Sequence, residues 1–150
     1  MKRGFTLMEL IVVVIIIGIL AMIGLPQFFR VAERGRAAEG VAALGALRSS
    51  QIRYAAEHGL TTGNADQLDM RAVNFRFFAN AVPVTGIDPN TGNTTAVLCS
   101  ITRNTRDNSG FGAYVLSIQN DGTILCGSGN QNICDVLGYG SGGTGPSTGD

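Results

Sequence analysis

Between Leu10 and Phe29 the chain runs for 20 residues without a charged side chain. At about 1.5 Å per helical residue this covers ~30 Å, the thickness of a bilayer's hydrocarbon core. Seven successive β-branched residues, Ile11 to Ile17, would favour a strand in water. In lipid a lone segment can satisfy its backbone only as a helix, and ordinary strands are far shorter than this run. The segment therefore predicts a membrane-spanning helix. A removable secretory signal is the rival reading, with Lys2 and Arg3 as its basic start. Glu9 stands between that start and the apolar run, and the run exceeds the usual ~7–15 residues of a signal core. Both features favour a retained anchor.

Helical character extends beyond the span. Residues 27–58 contain no proline. Phe28, Val31, Ala38, Val41, Ala42, Gly45, Ile52 and Ala56 recur at three-to-four spacing, with Arg30, Arg34, Arg48, Gln51 and Glu57 between them. The small size of this stripe predicts a close-packing partner. Gly59 is the expected stop, and His58 before it suits the negative end of a helix better than catalysis. All four glutamates lie in the first 58 residues and all seven aspartates beyond them. Glutamate suits helix interiors and aspartate suits caps and turns, so a helical third precedes a loop-and-strand remainder.

In that remainder an apolar stretch from Val73 to Val84 predicts a short strand. Thr94–Arg103 predicts a central strand, with Ala96, Leu98 and Ser100 on one face and Val97, Cys99 and Ile101 on the other. Phe111–Gln119 and Thr123–Cys126 form a hairpin about Asn120-Asp-Gly122. Cys126 and Cys134 lie in one loop-forming stretch and are the expected disulfide outside the cytoplasm, with Cys99 free and buried. Pairing of Cys99 with Cys126 is the alternative. Asn93-Thr-Thr95 matches a glycosylation sequon, and Asp88, Asn90 and Asn93 lack a full calcium ligand set. With 11 basic and 11 acidic residues no basic face marks nucleic acid. No P-loop, metal-spaced His/Cys set or nucleophile elbow occurs, so the sequence names no catalytic residue, metal or cofactor.

The first nine residues read Met-Lys-Arg-Gly-Phe-Thr-Leu-Met-Glu. This basic leader, glycine, aromatic and acid in fixed register before a span with Gly18 and Pro26 resembles the class III signal of type IV pilins and the pseudopilins of type II secretion. The resemblance is close over residues 2 to about 30 and looser beyond. It implies that a prepilin peptidase cuts between Gly4 and Phe5 and N-methylates Phe5. It further implies that Glu9 meets the Phe5 amine of a neighbouring subunit, although pairing with its own amine is geometrically open. Gly18, Gly24 and Pro26 mark the helix's soft point, since Pro26 cannot donate to residue 22.

The expected fold is α+β, a long helix packed on a small antiparallel sheet. The expected divisions are a leader (1–4), a transmembrane half (5–29), an amphipathic half (30–58), a connecting region (59–93), a sheet with disulfide loop (94–137) and a Gly-rich flexible tail (138–150). Expected partners are further copies of the chain, the prepilin peptidase, the assembly machinery of the inner membrane, and the membrane before assembly. The implied function is a pilus subunit at the cell surface, with a secretion pseudopilin as alternative and a single-pass anchored binding protein or enzyme as a third reading. Orientation also comes from the resemblance. Lys2 and Arg3 precede the span while Arg30, Arg34 and Arg36 follow it, so basic residues alone do not assign a side.

Overall fold

The computed structural model describes residues 4–69, 75–79, 82–104, 111–128 and 131–139. One helix, α1 (Leu7–His58), takes up the first third of the chain. A 3₁₀ turn (Ala65–Gln67) follows it. Then come β1 (Val82–Pro83), β2 (Val97–Thr102), β3 (Tyr114–Gln119), β4 (Ile124–Ser128) and the short α2 (Gln131–Leu137). The strands form an antiparallel meander in the order β1-β2-β3-β4. The architecture is α+β, a long helix laid on one face of a small sheet, as the sequence predicts. The Gly-rich tail beyond residue 139 and, in the stretch from Val73 to Val84, residues 73–74 and 80–81 lie outside the described residues. Within that stretch β1 and an isolated bridge between Phe78 and Arg103 pair with the second strand.

α1 starts at Thr6, whose extended backbone (φ −82°, ψ 148°) and hydroxyl make it the N-cap. It ends where the sequence places a glycine. Gly59 sits at φ 88°, a conformation costly for any residue with a Cβ, and its N–H returns to the Ala55 carbonyl at 2.7 Å. Pro26 lies inside the helix, which is continuous through Gly18, Gly24 and Pro26 in this single subunit.

Only the second half of α1 packs. Its buried positions are Glu33, Ala37, Gly40, Leu44, Leu47, Ser50, Gln51 and Ala55. This corrects the apolar stripe expected from the sequence. Val31, Ala38, Ala42 and Ala56 are exposed and Gly45 is half-buried, while Val41 and Ile52 reach the rim of the core, half-buried against it. At 100° per residue those positions centre on the side of α1 turned away from the sheet. The covered face carries a glutamate, a serine and a glutamine, so hydropathy periodicity selects the wrong side.

β3 alternates strictly, with Tyr114, Leu116 and Ile118 turned to the helix. Opposite them stand Arg103, Ile101 and Cys99. In β2 the expected alternation fails. A bulge between Val97 and Cys99 shifts the register, so Leu98 and Cys99 are both fully buried. The hairpin forms about the predicted Asn120-Asp-Gly122, with Gly122 at φ 93°. Arg48 on α1 clamps it by donating two hydrogen bonds to the Asn120 carbonyl. Buried Gln51 pins the connecting segment, donating to the Thr62 carbonyl at 2.6 Å and accepting from the Thr62 N–H at 3.1 Å.

Gly40 shows how closely the sheet side presses on the helix. A Cβ there would lie 2.8 Å from Cζ of Phe78, a buried ring that cannot swing aside. A Cβ at Gly35 would meet nothing within 4 Å. We predict opposite signs for the two alanine variants in thermal melts of the detergent-solubilised chain. Gly35→Ala should stabilise by ~0.5–1 kcal/mol through helix propensity. Gly40→Ala should destabilise by ~1–3 kcal/mol through overpacking. A higher melting temperature for both would contradict the packing at Phe78.

Candidate functional site

The N-terminal half of α1 presents an apolar surface that nothing in the subunit covers. Its apolar side chains are exposed all round the helix, from Leu7 (76% exposed) through Met22 (79%) to Val31 (65%). The most apolar stretch has a mean hydropathy of 2.9 and is wholly unburied within the subunit, so by length and composition it can cross a membrane.

At its tip the sequence-predicted processing and assembly residues fall together. Gly4 and Phe5 are exposed and precede the helix. Glu9, one turn in, closes a capping box with Thr6. One Glu9 carboxylate oxygen accepts from the Thr6 N–H at 3.0 Å and its hydroxyl at 2.9 Å, while the Glu9 N–H donates to that hydroxyl at 3.3 Å. Thr6 was missed at the sequence level, although Thr-Leu-Met-Glu is an S/T-x-x-E cap pattern. The box gives Glu9 a partner inside its own subunit. An acid beside an apolar span is expensive without one.

The second cluster joins the helix to the sheet. Arg103, just after β2, donates Nε to Glu33 at 2.7 Å and Nη2 to the other carboxylate oxygen at 3.3 Å. Tyr114 donates its hydroxyl to Glu33 at 3.0 Å, and Arg36 donates Nη1 at 3.0 Å. Arg103 also donates to the carbonyls of Phe77 and Asn104. Among the described residues no buried side-chain polar atom lacks a partner. Arg36, Arg76 and Arg103 place their guanidinium carbons 5.1, 5.2 and 5.5 Å from the Phe77 ring centroid. Burial alone would raise the Glu33 carboxyl. The hydrogen bonds from Arg103, Arg36 and Tyr114 outweigh it and hold that carboxyl below its ordinary value of 4.5. The same cluster, with burial foremost, pushes the Tyr114 hydroxyl up. No local signal connects residues 33 and 103, and the sequence reading gave Glu33 no role.

Cys126 and Cys134 are bonded, with Cα atoms 5.6 Å apart, as expected. The bridge ties β4 to α2, a short helix where the sequence predicts a loop. Cys99 is buried and free. Its alternative pairing with Cys126 fails because β3 lies between β2 and β4. Burial pushes the Cys99 thiol up to about 12, which keeps it protonated and inert. His58 stacks on Tyr54 at 4.1 Å between centroids and fits the helix-end role. Among the described residues no group of three or more His, Cys, Asp or Glu is placed to hold a metal ion.

Comparison with known proteins concentrates on this same helix. The family model described as the prokaryotic N-terminal methylation motif matches residues 1–25. The chain is 46% identical over 56 residues to the type IV major pilin protein PilA of Myxococcus xanthus, covering 37% of this chain and 26% of that protein. It is 34% identical over 64 residues to the fimbrial protein of Neisseria meningitidis, covering 43% of this chain and 38% of that protein. It is 33% identical over 60 residues to the type IV major pilin protein PilE of Neisseria gonorrhoeae, covering 40% and 36%. The matched stretches thus span about a quarter to two fifths of these relatives' lengths. No solved structure matches the chain.

Glu33 has a folded pKa below its ordinary value, so its stabilisation is present above that value and lost as pH falls through the folded pKa. Asp69, held down to about 2 chiefly by its hydrogen bonds from Arg53 and Ser50, acts in the same direction. The melting temperature should therefore fall as the pH drops below about 4.5. Glu33→Gln should cost ~3–5 kcal/mol near neutrality by removing one charge of a buried ion pair. It should also flatten the acid limb. An unchanged acid slope in Glu33→Gln would remove Glu33 as its source.

Proposed function

We propose that this chain, which carries the N-terminal methylation motif and helix of the type IV pilin family, is the structural subunit of a type IV pilus. The wholly exposed apolar half of α1 carries this reading. Such a surface needs lipid before assembly and other subunits after it. The chain starts as a single-pass inner-membrane protein with its basic leader in the cytoplasm. A prepilin peptidase cuts between Gly4 and Phe5 and methylates the new Phe5 amine. The membrane-bound assembly machinery then packs the helices into a fibre whose sheet domains face outward. The role is structural and not catalytic.

Glu9 is the group whose partner changes. In the single subunit it is held by Thr6. In the fibre the Phe5 amine of an incoming subunit enters an apolar core, where an unpaired ammonium is costly. Glu9 neutralises it and sets the axial stagger. The outer stripe of α1, with Val31, Gly35, Ala38 and Ala42 exposed, supplies a surface that neighbouring helices can approach closely. Gly18, Gly24 and Pro26 form the soft point. Pro26 leaves the Met22 carbonyl without its helical donor, so this stretch yields first under tension. A pseudopilin of secretion shares every one of these features. Long surface fibres at native expression favour the pilus, and fibres seen only on overexpression, with a secretion defect on deletion, favour the pseudopilus.

Intact mass and N-terminal sequencing of sheared fibres should give a chain that begins at methylated Phe5. Recovery of residues 1–4 in assembled material would refute the processing step. Glu9→Ala and Glu9→Gln should leave the subunit cleaved in the membrane but sharply reduce fibre yield, with Glu9→Asp intermediate. Normal yield from Glu9→Ala with intact processing would show that the pair does not drive assembly. A fibre map should show helical order lost between Gly18 and Pro26, and an unbroken helix there would count against the soft point.

A further inference from the structure

We propose that Asn93 is an N-glycosylation site, modified by a membrane-bound transferase that draws on a saccharide linked to a lipid diphosphate. Of the filament reading it borrows only the placement of the sheet domain outside the cytoplasm. Asn93-Thr-Thr95 is the single Asn-x-Ser/Thr triplet in the chain, and its middle residue is not proline. All three residues are exposed, in the loop that leads into β2. Gly92, at φ 77°, turns the chain immediately before Asn93, and the Thr94 N–H closes on the Gly92 carbonyl at 3.0 Å.

The loop is fastened through its carbonyl groups. Thr94 accepts from the Asp121 N–H at 3.1 Å, Thr95 from Gln119 Nε2 at 2.7 Å and Ala96 from the Asn120 N–H at 2.9 Å. Those donors all belong to the hairpin between β3 and β4, so holding the backbone consumes no side chain of the triplet. The Asn93 and Thr95 side chains meet each other. Thr95 donates its hydroxyl to Asn93 Oδ1 at 3.2 Å, and among the described residues Asn93 Nδ2 donates to no group.

A carboxamide nitrogen is a poor nucleophile, because its lone pair is delocalised into the carbonyl. A hydroxyl bonded to Oδ1 stabilises the charge that builds there as Nδ2 gives up a proton. A carboxylate base of the transferase takes that proton while Nδ2 attacks the anomeric carbon of the donor. The new C–N bond forms as the bond from that carbon to the diphosphate oxygen breaks. The lipid diphosphate leaves with the electron pair, and nothing is oxidised or reduced. The position suits a bulky, solubilising group. Arg48 holds the same hairpin at the Asn120 carbonyl and stands ~28 Å along the helix from Phe29. A saccharide there is clear of the bilayer, and it belongs to the sheet domain, from which the outer stripe of Val31, Ala38 and Ala42 points away.

Peptide mapping of the full chain from its native host, taken from membranes and from sheared fibres, tests the site. Trypsin releases residues 77–103 as one peptide, in which Asn93 heads the only sequon. Electron-transfer fragmentation should place a saccharide mass on Asn93. Asn93→Gln and Thr95→Val, made in the same host, should lose that mass entirely, since valine keeps the shape of threonine without its hydroxyl. Thr95→Ser and Thr94→Ala should keep it, which separates the hydroxyl's role from a disturbed loop. An unmodified Asn93 in native membranes would overturn the assignment. So would a saccharide placed on Thr94 or Thr95, or one retained in Thr95→Val. The membrane fraction decides the site whether or not fibres form, so a failed filament reading leaves this result standing. The donor is tested on unmodified full chain made in a host without N-glycosylation and mixed with native-host membranes. Transfer should require the lipid-extractable saccharide, and transfer from soluble nucleotide sugars after that fraction is removed would overturn the donor.

Discussion

The ion pair between Glu33 and Arg103 sits where the molecule changes character. Glu33 is the first buried residue of α1, and every position before it in the described helix is exposed or half-buried. Arg103 stands where β2 ends and the chain bridges to Phe78. One bidentate contact thus fixes how far along the helix the sheet sits and how much of the helix is left bare. Its setting matters as much as the pair. A buried ion pair without further hydrogen bonds is close to neutral for stability. Here Tyr114, Arg36 and two carbonyls complete both groups, so removing either ion leaves several others unsatisfied.

From that junction the two halves follow different packing rules. Beyond Glu33 the helix obeys the ordinary logic of a core. Leu44 and Leu47 share one core with Leu98, Ile101, Leu116 and Ile118, and Gly40 admits Phe78. The disulfide between Cys126 and Cys134 holds α2 to the sheet's edge strand, and closing so short a loop contributes ~2–3 kcal/mol in the chain-entropy model. Before Glu33 no such core exists. Apart from the Met22 carbonyl opposite Pro26, hydrogen bonds within the helix satisfy its backbone, so this half can stand alone in lipid, which a bare strand cannot.

The sequence was most legible where a single residue type has one dominant use. Gly59 ends the helix, Asn120-Asp-Gly122 turns the hairpin, and the close pair of cysteines bonds. It was misleading where two surfaces compete for one periodicity. α1 carries two stripes, and the more apolar one points away from the sheet. The covered stripe includes Glu33, Ser50 and Gln51, which are buried only because Arg103, Asp69 and Thr62 meet them. Those partners lie 70, 19 and 11 residues away, and hydropathy periodicity along α1 carries no sign of them. The β2 bulge escaped for a similar reason. Register is a property of two strands, while alternation is read along one. The Thr6 cap, by contrast, was present in the local pattern and needed only to be read there.

The outward stripe bears on how a helix could leave one apolar environment for another. Lipid chains are about as apolar as the leucines and isoleucines of α1, so passage from bilayer to helix bundle gains little from the hydrophobic effect. Specificity must then come from terms that do not average over the surface. Close backbone approach is one, and the exposed Gly35, Ala38 and Ala42 permit it where larger residues would hold neighbours apart. Directed polar contacts are the other, and between Leu7 and Phe29 the described helix has one charged side chain, Glu9. The capping box keeps that carboxylate oriented at the helix start through bonds to Thr6 alone. A neighbour's ammonium would compete with a backbone N–H and a hydroxyl, neutral donors whose bonds to the carboxylate are already charge-assisted, and would add to them the attraction between opposite charges. The exchange is therefore downhill only where a cation arrives at the right height. On the proposed reading this is how a nearly featureless apolar helix selects a single stagger.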